Sequence, residues 1–378
     1  MGSERPLEIE GYRFLQLPRP LARAAYERAR AEFVAAYDKV QGVHAIYRIG
    51  SVSYPGLSDL DFIVVLDDDY RPAPGVTYTI LAFREETRYA LYHPQIFLPR
   101  RLFPCLSLLV PIFELEHVAG QECPPPTSDA EELRQARLFF LCESFITDFA
   151  WSLTGFLGER RINLRMAQAK LNLVVKNIAL LEDLTGVGWS GGAGFAASVQ
   201  ELRSSWFSRP QEQVCRQTIE LLVEAQRIVA ALMHAFDQYV QGAPYRKLAS
   251  PETDGAQYGY HNVAVVFGSK GKTVQGRGHK FLMAAPLSVA IPPMCLASGS
   301  GPASRYVRNH FDVPPPRVDF SAFSGLVKIV EAANAHCRFL RERGITTGHF
   351  RYFGYRGDYS PGLRTMLRRA TSRLRKRQ

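Results

Sequence analysis

The chain of 378 residues lacks the marks of several protein classes. Its six cysteines (Cys105, Cys123, Cys142, Cys215, Cys295, Cys337) are scattered, with no CxxC pair and no Cys/His cluster. That spacing argues against a disulfide scaffold or a zinc site and fits free thiols in a reducing compartment. The longest apolar run, Phe281 to Ala297, is interrupted by Pro286, Pro292 and Pro293 and is too short to span a bilayer. The N-terminus, Met1-Gly2-Ser3-Glu4-Arg5-Pro6, is polar and carries no signal-peptide pattern, so a cytoplasmic protein is expected. No internal repeat and no RNA-binding module signature is present. A phosphate loop ending at Gly271-Lys272-Thr273 needs glycine at 266, and the chain has Val266 there. The basic segment Gly268 to Lys280 then reads as a hairpin loop, either plain or folding over an anionic substrate.

What is present is ordinary in bulk: 46% hydrophobic and 22% charged residues, enough for a sizeable core split into two or three domains. The net charge of +10 suits anionic partners such as nucleotides, nucleic acid or anionic lipid. Much of that excess lies in the last thirty or so residues. There, Leu363, Met366, Leu367, Ala370 and Leu374 repeat at helical spacing among arginines. This basic amphipathic helix either packs on the body, contacts RNA or meets an anionic membrane.

One stretch concentrates chemistry: Ile49-Gly50-Ser51, a short spacer, then Ser58-Asp59-Leu60-Asp61 opening the apolar run Phe62 to Leu66. Strand side chains alternate faces, so Asp59 and Asp61 point the same way. Two carboxylates on one face suit a hard divalent cation, Mg²⁺ first. The Gly-Ser turn offers backbone N–H groups and a hydroxyl to phosphate. Before it, residues 20–39 predict a helix, and Val43 to Ile49 a strand. Asp67-Asp68-Asp69 reads as a solvated acidic loop beyond the strand.

The order helix, strand, Gly-Ser, Asp-x-Asp, strand resembles the signature of the DNA polymerase beta-type nucleotidyltransferase superfamily, over about residues 20–66. Its spacer from Ser51 to Asp59 is shorter than usual and has room for about one helical turn beginning near Pro55. The resemblance implies a metal-dependent nucleotidyltransferase using Mg²⁺ (or Mn²⁺) and ATP or another NTP. Asp59 and Asp61 would be catalytic metal ligands, joined by a third carboxylate on a neighbouring strand. Leu106 to Val118 predicts that strand, with Glu116 as the third carboxylate or else Glu114. Gly50, Ser51, Ser58 and Lys170 are the implied nucleotide-binding residues. Lys170 belongs to a helix that also carries Arg161, Arg165 and Lys176.

The fold class expected is α+β: a mixed nucleotidyltransferase sheet flanked by helices (1–127), a helical domain (128–243) and a smaller C-terminal α/β part (244–378). Helices are predicted over 79–92, 130–157, 160–185, 211–240 and 321–343, with Ser128 and Glu131 as a capping box for the second. β-like runs are predicted at Tyr260 to Phe267 and Phe281 to Ile291. The acceptor is expected to be a hydroxyl on a small molecule. The alternatives are an RNA acceptor held by the basic C-terminal helix, and a catalytically silent nucleotidyltransferase fold that only binds.

Overall fold

A computed structural model describes residues 7–72, 76, 78–111, 114–242, 254–268, 279–311, 319–345 and 347–355. The basic tail at 363–378 and nearly all of the Gly/Lys-rich segment lie outside the described residues. The architecture is mixed α+β, with three mixed sheets among the described residues.

The chain opens with a hairpin, β1 (Glu8–Ile9) and β2 (Tyr12–Leu15), then α1 (Arg23–Tyr37), β3 (Val43–Ile49) and β4 (Asp61–Leu66). After them come α2 (Glu85–Leu91), β5 (Ile96–Pro99), the short α3 (Leu106–Leu109) and β6 (Leu115–Gly120). The central sheet has the order β5-β4-β3-β6, with β4 parallel to β5 and both other pairs antiparallel. Both faces are covered, which explains the unbroken apolar run of β4. Ile46, Phe62 and Val64 pack with Tyr26, Ala29 and Phe33 of α1. Ile63 and Val65 face the other way, into a core shared with Phe139, Phe145 and Leu171.

That second core belongs to a helical body. Its helices are α4 (Ala130–Glu143), α5 (Gly155–Glu159), α6 (Leu164–Thr185), α7 (Gly192–Ser204) and α8 (Gln211–Gly242). Residues Ser144–Thr154 join α4 to α5 as a wider π-helical stretch. The strand β7 (Arg161–Asn163) pairs in parallel with β2 and leads into α6. Asn163 caps α6, accepting from the Met166 N–H at 3.1 Å, and Gly186 at φ +69° ends it. The last part holds β8 (Gln257–Tyr260), β9 (Val263–Phe267) and β10 (Phe281–Ala285). It ends with α9 (Ile291–Ser298), α10 (Pro302–His310) and α11 (Ser324–Glu342).

Four expectations need correction. The strand predicted from Leu106 starts only at Leu115, because Leu106–Leu109 closes a helical turn first. A short apolar run fits either period. The cap of α4 is Asp129, accepting from the Glu132 N–H at 2.8 Å, while Ser128 bonds Ser107 instead. The run from Phe281 is extended only to Ala285, then turns helical with Pro292 and Pro293 in the first turn of α9. Finally, β9 and β10 pair in parallel. The two strands therefore do not form the hairpin expected of them, since parallel neighbours are not joined by a tight turn; nearly all of the basic segment lies outside the described residues.

Candidate active site

Asp61 opens β4 opposite Ile49, so it shares a face with Ile63 and Val65 and looks toward the helical body. Asp59 lies two residues earlier on the same side. The spacer that delivers them makes one tight turn: the N–H groups of Leu57 and Ser58 both donate to the Tyr54 carbonyl, at 3.0 and 2.8 Å. Tyr26 of α1 pins it, accepting from the Gly56 N–H at 2.9 Å and donating to the Ser58 carbonyl at 2.6 Å. Gly56 sits at φ +89° with the Arg19 carbonyl 2.5 Å from where a Cβ would stand, so only glycine fits.

The third member of the group is His93, just after α2. Its Nε2 is 2.8 Å from Asp61 Oδ1 and 3.7 Å from Asp59 Oδ2, a charge contact without hydrogen-bond alignment. One ligand atom from each of Asp59, Asp61 and His93 lies within 4.8 Å of the others. The side chains are 31%, 31% and 45% exposed, so the group opens to solvent on one side. Crowding by protein and then the Asp61 carboxylate push the Asp59 pKa up. Burial opposes charge on His93, but the two carboxylates outweigh it and raise its pKa to about 9. The imidazole is thus protonated at neutral pH and offsets one of the two negative charges.

Cations from the helical body surround this group. Arg165 of α6 is 5% exposed, and its guanidinium lies 4.1 Å from the centre of the Tyr89 ring and 4.2 Å from that of Tyr92. Its Nε and NH2 have no hydrogen-bond partner among the described residues. Arg203 of α7, 7% exposed, donates from NH1 to the Gln168 carbonyl at 2.9 Å and stacks over Tyr54 at 4.8 Å. Its NH2 reaches Ser58 Oγ at 3.5 Å, and its Nε is unpartnered. Burial lowers the Arg203 pKa, with Tyr54 and Asp59 acting against it. Lys176 of α6 is half-buried, and its pKa is lowered by burial first, with Asp61 opposing. Arg165, Arg203 and Lys176 all act electrostatically on the aspartates.

The structure brings some predicted residues together and separates others. Asp59 and Asp61 stand side by side as expected. Ser51 is exposed at the turn, its Oγ 3.0 Å from Ser53 Oγ. The Gly50 N–H is already donated to the Glu114 carbonyl at 3.0 Å, so phosphate cannot use it. Ser58 is buried, and its Oγ accepts from the Tyr54 N–H at 3.1 Å, which makes it a support for the loop.

Glu116 pairs with Arg48 in register, on the face opposite Asp61, and its carboxylate contacts Arg48 and Arg30, the latter at 3.1 Å. Glu114, two residues before it, is exposed. Neither joins the aspartate pair. Lys170 is buried against Asp148, which also receives Arg351, and so is placed in the interior of the body. Asp67 and Asp68 also stand apart, at His44 and at the Arg101 N–H.

Two residues beside the aspartates, His93 and Arg203, escaped sequence reading, while Arg165 and Lys176 stood on the basic helix from which Lys170 was chosen. His93 lies in an irregular segment between α2 and β5, and Arg203 is far along the chain in a helix that was not predicted. Lys176 was visible on its helix: it is eleven positions from Arg165, about three turns, so the two share a face.

Comparison of the chain with protein-family models, with curated proteins and with solved structures finds no match. The reading of the site stands on its own chemistry.

Proposed function

We propose that this protein is a metal-dependent nucleotidyltransferase that moves a nucleoside monophosphate from ATP or another NTP to a hydroxyl on a small molecule. One observation carries the reading. Asp59 and Asp61 face two guanidiniums more than nine-tenths buried, Arg165 and Arg203, that hold unpartnered N–H groups. Buried donors without partners are costly. A ligand that carries its own anionic oxygens and comes with a divalent cation satisfies both halves at once.

The donor set fits such a cation. Asp59, Asp61 and His93 would hold it, with His93 giving up its imidazolium proton to do so. Two carboxylates suit Mg²⁺, and the imidazole makes Mn²⁺ equally acceptable. A divalent cation bound there supplies charge neutralisation at phosphate oxygens and acidifies an acceptor hydroxyl. The protein's own part is binding and orientation. Arg165, Arg203 and Lys176 take phosphate oxygens by charge-assisted hydrogen bonds, roughly twice as strong as neutral ones. The Tyr54 ring covers one face of Arg203 and keeps water from it. Ser51, exposed at the turn, can donate to a phosphate oxygen while accepting from the Ser53 hydroxyl. Donors fixed before the substrate arrives need no reorganisation as charge moves from the α-phosphoryl to the leaving pyrophosphate.

A second reading, nucleotide binding without transfer, has one observation in its favour. Among the described residues the third member of the group is His93, and no third carboxylate joins the pair. A screen of NTPs labelled at the α-phosphate, with cell extract as the source of acceptors, separates the two. Transfer of label to a small molecule that disappears in an Asp59→Ala/Asp61→Ala variant supports the main reading. Label moving to RNA redirects the acceptor, and no transfer with retained nucleotide binding supports the silent form.

A further inference from the structure

Arg165 is held in an unusual way for a buried cation. Lys170, on the same helix and equally buried, has the carboxylate of Asp148 as its partner. Arg165 makes no ion pair among the described residues and is held by rings. The stack has four layers: the Arg19 guanidinium 4.4 Å over Tyr89, then Arg165 4.1 Å from the same ring, then Tyr92 at 4.2 Å. The stack is itself anchored. The Tyr89 hydroxyl donates to the Gly56 carbonyl at 2.8 Å and accepts from the Arg19 N–H at 2.9 Å. The Tyr92 hydroxyl donates to Gln16 Oε1 at 3.2 Å, and Arg19 pairs with Glu85 at 2.8 Å.

The chemistry of this arrangement differs from that of an ion pair. Ring faces satisfy the flat sides of a guanidinium and leave its in-plane N–H groups unused. A carboxylate partner would occupy those same N–H groups and cancel the charge. Here Nε and NH2 are buried and unpartnered, and Arg165 lies within electrostatic reach of Asp59. Tyr89 also grips the Gly56 carbonyl of the loop that delivers Asp59, so the cation and the carboxylate are set by the same ring.

We propose that Tyr89 and Tyr92 are positioning residues that hold Arg165 edge-on as a two-pronged receptor for the polyphosphate group of the substrate. This rests on the nucleotidyltransferase reading for the identity of the substrate, but not for the binding itself. The rings do not touch the phosphate. They fix the plane of the guanidinium, and with it the direction of two parallel donors onto phosphate oxygens. A flexible ammonium in the same place keeps the charge and loses the fork.

The test uses the full chain and inorganic tripolyphosphate with Mg²⁺, followed by calorimetric titration, together with KM and kcat for any NTP that the parent turns over. Arg165→Lys, Tyr89→Leu and Tyr92→Leu should each weaken tripolyphosphate about tenfold or more. Tyr92→Phe, which keeps the ring face and loses only the bond to Gln16, should stay within about threefold of the parent, and Tyr89→Phe, which also releases the Gly56 carbonyl, should fall between the parent and Tyr89→Leu. In turnover the leucine variants should raise KM for the NTP more than they lower kcat. The phenylalanine variants guard against misfolding, because a loss in leucine that phenylalanine rescues belongs to the ring.

Leucine variants that bind tripolyphosphate like the parent, or a parent that does not bind it, overturn the proposal. A parent that transfers nucleotide without this hierarchy leaves the enzymatic reading standing and removes the positioning role. The hierarchy without transfer does the reverse. NTP and tripolyphosphate arms that respond alike place the contact on the polyphosphate; a hierarchy seen only with NTP places it elsewhere on the nucleotide and contradicts the proposal.

Discussion

Glu116 reaches across to Arg48 on the neighbouring strand, on the side of the central sheet turned away from Asp61. It is a partly exposed pair (40% and 27%) with Arg30 alongside. Such pairs contribute about 0–1 kcal/mol. Glu116→Gln should therefore leave transfer within about threefold of the parent and lower stability by no more than that range. Steady-state kinetics beside a denaturant titration checks it. A loss of orders of magnitude in rate would return Glu116 to the catalytic set.

His93 makes a specific statement about metal choice. Imidazole favours transition metals over Mg²⁺, which prefers all-oxygen surroundings. Activity of the parent should be at least as high with Mn²⁺ as with Mg²⁺. His93→Asp, which replaces nitrogen by oxygen, should shift the ratio toward Mg²⁺ by about tenfold. An unchanged ratio of the two metals in the variant removes His93 from the ligand set.

Lys170 and Asp148 form a buried pair, with Arg351 of the last described segment on the same carboxylate. Removing one partner of such a pair typically costs about 3–5 kcal/mol. Lys170→Met should show that loss in a urea titration. At a temperature where the variant is folded, its KM for the nucleotide should match the parent's, because the ammonium is engaged away from Asp59 and Asp61. A specific rise in KM without loss of stability would contradict this placement.

His336 gives the protein an acid limit. It is fully buried, with Nε2 donating to the Phe97 carbonyl at 2.7 Å and Nδ1 accepting from the Tyr352 hydroxyl at 3.0 Å. Burial, with His349 adding to it, holds its pKa down at about 3, and His349 is held near 4 by burial and Arg341. In the unfolded chain both protonate near 6.5. As pH falls from about 6.5 toward 3–4, the unfolded state takes up protons that the native state refuses, so stability drops across that window and levels off below it. Urea midpoints measured from pH 7 to 4 should show this slope, and His336→Gln should flatten it while lowering stability at pH 7. An unchanged slope in the variant would assign the acid sensitivity to other groups.

The sequence made local features legible and long-range ones obscure. Asp59 and Asp61 could be placed on one side because strand alternation is a two-residue property. The apolar run after them had to be a buried strand. The spacer had room for one turn, and one turn is what Tyr54 to Ser58 forms. Glu116 was assigned by the same alternation. That rule says which residues share a face but not which face of the sheet carries Asp61, two strands away on β4, and the register of β6 on β3 sets Glu116 on the other side.

Lys170 and Lys176 show the matching difficulty on a helix. Both are basic residues on α6, and choosing between them requires knowing which side the sheet approaches. The unpredicted α7 brings Arg203, and the corner after α2 brings His93, through packing that no local pattern encodes. The pairing of β9 with β10 is likewise a matter of topology, since the same two apolar runs suit a hairpin or a crossover.

In the function proposed above, Asp59 and Asp61 serve nucleotidyl transfer. The most direct measurement follows two labels on one NTP, at the α- and at the γ-phosphate, with the parent and an Asp59→Asn/Asp61→Asn variant in the presence of Mn²⁺ or Mg²⁺. The α label should move to the acceptor, the γ label should leave in pyrophosphate, and the variant should lose both by orders of magnitude while staying folded. A γ label delivered to the acceptor, or equal turnover by the variant, would contradict that function.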